Sequence, residues 1–148
     1  MTAVDNRLGR AMTAEEVVRA ELAAWEHLHV DEAMKYFAQD AVYDIGPSYP
    51  RLSGHAAIRK TLHAYFNRAT ECDLKILHLA VDGDVVLMER FDHWIVNGKP
   101  IDTPVMGTYE VKNQKITAWI DTPVMGIYEV KNQEITAWRE YFIPPEIP

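Results

Sequence analysis

The sequence predicts an α+β domain, with helices laid on one face of a curved, mixed or antiparallel sheet. Three observations predict it. The first half carries apolar residues at helical spacing. The second half carries alternating strands closed by turn dipeptides. A near-identical strand–turn–strand unit then occurs twice in tandem. The 148 residues suit one domain spanning the whole chain. A single core of that size buries roughly two-thirds of the unfolded surface.

Thr13-Ala-Glu-Glu16 has the pattern of a capping box before an apolar stripe of Val17, Val18, Leu22, Trp25 and Leu28. A first helix is therefore expected over about 13–28. Asp31 is the expected cap of a short second helix carrying Met34, Tyr36 and Phe37. A strand is expected over 41–45, ended by Gly46, Pro47 and Pro50. Ser53 is the expected cap of a third helix with Ile58, Leu62 and Tyr65 or Phe66 inward. Strands follow at 74–81, closed by Asp82-Gly83, and at 85–96, closed by Asn97-Gly98.

Residues 101–119 and 120–138 differ only at Thr108 against Ile127 and Lys115 against Glu134. Each copy reads as a hairpin around a Lys-Asn-Gln turn. One sheet has one place for such a pair. The surplus pair is expected to extend the sheet or to exchange with a second chain. Looping out is the less favoured outcome, because it would leave Val, Met, Ile and Trp side chains in water.

The composition narrows the function. A net charge of -7 argues against nucleic acid, whose phosphates need a basic face, and against a polybasic membrane contact. No apolar run approaches the ~20 residues of a membrane span, and 1–12 lack the apolar stretch of a secretory signal. Cys72 is the one cysteine, so no intrachain disulfide forms, and it reads as structural. Together these point to the cytoplasm. The six histidines show no metal-ligand spacing, and there is no phosphate loop or nucleophile elbow. No metal and no cofactor are expected.

Alternation along 85–96 puts Val86, Met88, Arg90, Asp92, Trp94 and Val96 on one face. Two ionisable groups in an apolar row suggest a site, because unpaired buried charge is costly; the same pair also reads as a structural ion pair or an exposed face. On the last strand Trp138, Glu140 and Phe142 share a face, a carboxylate between aromatics. Asp121 holds the register of Glu140 after the first copy, so two acids compete for one place. Tyr43 and Ile45 share a face of the first strand, and Asp44 points away.

Glu89-Arg90-Phe91-Asp92, Pro-Val-Met-Gly on the next strand, and Ile135-Thr-Ala-Trp-Arg-Glu-Tyr-Phe142 resemble the limonene-1,2-epoxide hydrolase family. Tyr36-Phe-Ala-Gln-Asp-Ala-Val-Tyr43 is a looser match, shared with SnoaL-like proteins and ketosteroid isomerases. The resemblance implies an NTF2-like cone, a dimer (strand-swapped in one reading of the repeat), and a deep apolar pocket for a small hydrophobic epoxide. By position, Asp92 matches the acid that protonates the epoxide oxygen and Arg90 the arginine between two carboxylates. Glu140, with Asp121 as its alternative, matches the base that activates water, and Tyr43 helps hold that water. Met88, Ile45, Trp94, Trp138 and Phe142 are the expected pocket wall. Ile45 stands where the family has a water-positioning asparagine, and Glu140 is one methylene longer than the family's aspartate. An isomerase or cyclase using Asp44, and a non-catalytic binder of apolar ligands, are the competing readings.

Overall fold

A computed structural model describes residues 4–5, 9–46, 49–121 and 124–142, with backbone alone at 4–5, 124–125 and 140–142. Three helices, α1 (Ala14–Glu26), α2 (Val30–Met34) and α3 (His55–Phe66), pack on one face of a six-stranded sheet. Its strands are β3 (Phe37–Asp44), β4 (Leu52–Ser53), β5 (Ala69–Asp82), β6 (Val85–Val96), β7 (Lys99–Lys112) and β8 (Lys115–Asp121). The order is β4-β3-β8-β7-β6-β5, so the sheet is open and is not a closed barrel. All neighbours are antiparallel except β3 and β8, which makes the sheet mixed. Two short strands, β1 (Val4–Asp5) and β2 (Arg10–Ala11), pair with each other. No helix among the described residues is long and apolar enough to cross a membrane.

The capping box forms as expected. Thr13 accepts from the Glu16 amide, and the Glu16 carboxylate accepts from the Thr13 amide. Burial follows the stripe, with Val17, Val18, Leu22 and Trp25 inside. α2 is shorter than expected. It stops at Met34, and Phe37 instead opens β3 by pairing with Ile116. His29, not Asp31, caps α2 by accepting from the Glu32 amide. Ser53 does not cap α3: it pairs with Val42 in β4, and Gly54 takes the N-cap at φ 87° with no side-chain bond. The β6–β7 turn has Asn97 at φ 50° and Gly98 at φ 74°, the left-handed pair that a tight hairpin needs.

The second copy makes β9 (Val124–Lys131) and β10 (Glu134–Phe142), which among the described residues pair only with each other. The expectation that the surplus pair extends the sheet is therefore corrected: the hairpin stands outside it. The first copy is seated first along the chain, and β8 is already flanked by β7 and β3, so no sheet position adjoins it. Arg139 ties the hairpin to the outer sheet face, 3.4 Å from the buried Glu89 carboxylate and 2.7 Å from Glu129.

Replacing Thr13 with Ala removes the acceptor of the capping box. Urea unfolding is expected to show a loss of ~1 kcal/mol with an unchanged m-value. A loss indistinguishable from zero would remove the cap from the account of α1.

Candidate active site

The alternation of β6 turns Arg90 and Asp92 toward the helices, where they are 2% and 5% exposed. Arg90 Nε donates to both Asp92 oxygens, at 2.8 and 3.0 Å. Arg90 Nη1 donates to the Tyr109 hydroxyl at 2.7 Å. Arg90 Nη2 lies 3.8 Å from Asp121 Oδ1, and the guanidinium sits over the Trp119 ring. Trp119 Nε1 donates to the same Asp121 oxygen at 2.9 Å. Gly107 makes room for this arrangement. It pairs with both Met88 and Asp121, and a Cβ there would stand 3.0 Å from Arg90 Nη1.

These groups open on a cavity of about 470 Å³. Arg90, Asp92, Asp121 and Tyr43 are among its polar walls. Trp25, Ile45, Trp94 and Met106 are among its apolar walls. Such a hollow suits a small apolar ligand with one polar reacting centre. Among the described residues no group of three His, Cys, Asp or Glu side chains could hold a metal ion.

Burial pushes the Asp121 carboxyl up to about 6, against the pull of Arg90 and the Trp119 hydrogen bond. Burial also raises Asp92, again opposed by Arg90. For Arg90 burial works against the charge, but Tyr109, Asp121 and Asp92 together raise its pKa. Burial raises Tyr43 and Tyr109 well above the usual phenol range, so both keep their protons. One fixed positive charge thus faces two largely buried carboxyl groups. Neutrality is reached when the pair holds one proton, shared across a coupled network.

Of the sequence candidates, the structure brings together Arg90, Asp92, Asp121 and Tyr43, with Ile45 and Trp94 in the wall. Met88 is fully buried and packs in the core, not in the wall. Trp138 is 60% exposed on β10, because Trp119 holds the corresponding core position. The backbone of Glu140 lies on β10, outside the main sheet, and of the two competing acids it is Asp121 that faces Arg90. The Glu140 and Phe142 side chains lie outside the described residues. Asp44 accepts from Arg51 and from the Gly46 amide and is not part of the cavity wall. Cys72 is buried, and burial raises its thiol, so it is no ready nucleophile.

Glu21 escaped the sequence reading. It is fully buried beneath the site, within electrostatic reach of Arg90 and Asp121. One oxygen accepts from the Trp25 indole, and Oε2 has no hydrogen-bond partner. Burial pushes its pKa up to about 8. The signal was present, since position 21 falls inside the apolar stripe between Val18 and Leu22.

Helices on a curved mixed sheet, with a polar cluster at the end of an apolar hollow, define an NTF2-like protein of the cystatin-fold type. Residues 12–122 match the limonene-1,2-epoxide hydrolase catalytic domain, and the chain belongs to that family. It is similar in structure to an LEH-like epoxide hydrolase from M. tuberculosis, at 28% identity and TM-score 0.67, over 74% of this chain and 80% of that one. It shares its fold with a putative polyketide cyclase from Xanthomonas campestris pv. campestris (21% identity, TM-score 0.66, 74% and 88% covered). It also shares it with a cystatin-fold protein from Novosphingobium aromaticivorans (22%, 0.67, 75% and 98%). No curated protein sequence matches the chain.

Glu21 makes stability depend on pH with a defined sign. Its folded pKa lies above its unfolded value of 4.5. Between about pH 4.5 and 8 the unfolded chain ionises and the folded chain resists. Stability is therefore expected to fall as pH rises through that window, by on the order of a few kcal/mol at most. Glu21→Gln should flatten this decline in urea titrations at pH 5, 6.5 and 8; an unchanged slope would show that Glu21 is already ionised in the fold.

Proposed function

We propose that the protein adds water to a small hydrophobic epoxide, giving a vicinal diol in one step without metal, cofactor or covalent intermediate. The observation that carries this reading is the Asp92–Arg90–Asp121 network at the polar end of an apolar cavity. Epoxide opening needs a base for the attacking water and a proton for the departing oxygen. Two carboxyl groups with different surroundings can divide that work.

Asp121 takes a proton from water as the new C–O bond forms. The epoxide C–O bond breaks, and its oxygen takes the proton carried by Asp92. The two transfers leave the proton count of the pair unchanged, and Arg90 holds the ionised partner throughout. Trp119 fixes the Asp121 oxygen, and the Tyr43 phenol stands in the wall to orient the water. Ile45 offers water no hydrogen bond, so Asp121 and Tyr43 carry that task without an amide. The family membership and the M. tuberculosis relative support the hydrolase reading. The position of Asp44, bonded to Arg51 and away from the cavity wall, speaks against the isomerase reading.

The test is turnover of cyclohexene, styrene and limonene oxides, with diol measured by gas chromatography. Asp92→Asn and Asp121→Asn are each expected to lower kcat by about 100-fold or more. Failure of the intact protein to form diol from any of the three would sink the reading.

The acid limb of the rate profile should follow Asp121. The base must be ionised, so kcat/KM is expected to fall as pH drops below about 6. A rate that stays flat down to pH 4.5 would exclude Asp121 as the base.

A further inference from the structure

The repeat gives the chain two hairpins and one place in the sheet. Their internal geometry is the same pair by pair. Tyr109↔Trp119 corresponds to Tyr128↔Trp138, Val111↔Ile116 to Val130↔Ile135, and Gly107↔Asp121 to Gly126↔Glu140. Both turns use Asn-Gln in the left-handed region, at φ 50° and 60° in the first and 51° and 66° in the second. Their surroundings are opposite. Tyr109, Val111, Ile116 and Trp119 are 0–4% exposed, whereas Tyr128, Val130, Ile135 and Trp138 are 50–62% exposed.

The two differences between the copies both fall on the other face. Thr108 and Ile127, like Lys115 and Glu134, alternate away from the Tyr–Val–Ile–Trp face. Gly126 also keeps the missing Cβ that Arg90 requires at Gly107. The glycine and the four apolar and aromatic residues of the inward face are therefore present twice.

We propose that the two hairpins are alternative occupants of one slot between β6 and β3, and that Glu140 replaces Asp121 opposite Arg90 when the second is seated. The clause on Glu140 rests on the proposed reading of the site. Apolar packing against the helices is alike in the two arrangements, since the Tyr, Val, Ile and Trp of the buried face are the same. Seating the second hairpin forces residues 101–119 into a loop closed between Pro100 and Ile120. That closure costs entropy, so the arrangement with Asp121 is the major one. In the minor one the base is one methylene longer and reaches further into the cavity, which changes the epoxides it can serve.

The test uses the full chain and asks whether one hairpin rescues damage to the other. Trp119→Ala empties a fully buried position and would ordinarily lower Tm by about 10 °C or more. With exchange, Tm should fall by only about 3 °C, and iodide quenching of tryptophan emission should drop as Trp138 moves inside. The double change Trp119→Ala with Trp138→Ala should show the full loss. A single variant that melts as low as the double overturns the exchange. So does a rescue that appears only as a dimer at high concentration, since a second chain would then be filling the slot. For the acid, the loss of diol formation on Glu140→Gln should be at least tenfold larger in the Trp119→Ala chain than in the unaltered chain. Equal losses overturn the second clause. If the unaltered chain makes no diol, the site reading and that clause fall together, while the melting comparison still decides the exchange.

Discussion

The buried Arg90 guanidinium is the constraint around which the domain is arranged. A charge taken out of water costs several kcal/mol unless it is paired and hydrogen-bonded. Asp92 satisfies it from its own strand, Tyr109 from β7, and Asp121 from the end of β8. Three strands must therefore hold one register. A slip of one residue on any of them would turn a partner to the other face. Gly107 belongs to the same constraint, since the fork lies against its bare backbone.

The parts of the fold governed by period and by local chemistry were legible in the sequence. β6 runs over the residues that alternation gave it, and the α1 cap forms from the residues that name it. Arg90, Asp92 and Tyr43 were legible for the same reason, as polar groups standing at inward positions. What escaped was decided by tertiary contact. Phe37 reads as helical until Ile116 is available to pair with it. Glu140 and Asp121 read alike until one hairpin is seated. Periodicity alone cannot rank two copies with the same buried face, because the ranking comes from how the chain connects them.

Glu21 shows a different limit. A glutamate inside an apolar stripe reads as an interruption, and its consequences appear only once the surroundings are known. Its carboxyl lies below a site where one arginine already faces two acids. With one proton held by the Asp92–Asp121 pair, ionising Glu21 would add a second negative charge to a region where Arg90 is the facing cation. The neutral form is thus favoured by burial, against the Trp25 hydrogen bond and the charge of Arg90, with a smaller contribution from Asp121. A neutral acid there leaves the field at Asp121 and Asp92 set chiefly by Arg90.

The repeat also shows how little of an acid's chemistry resides in its identity. Ile101-Asp102 and Ile120-Asp121 open the two copies with the same dipeptide. Asp102 is exposed on β7 beside His93, where water screens it. Asp121 follows Trp119 at the end of β8, where burial pushes it up to about 6 and Arg90 and an indole N–H share it. The acid that faces Arg90 is thus the second residue of the second copy. It acquires its burial and its Arg90 and Trp119 partners through the strand it completes, and the same two letters nineteen residues earlier make an ordinary surface pair.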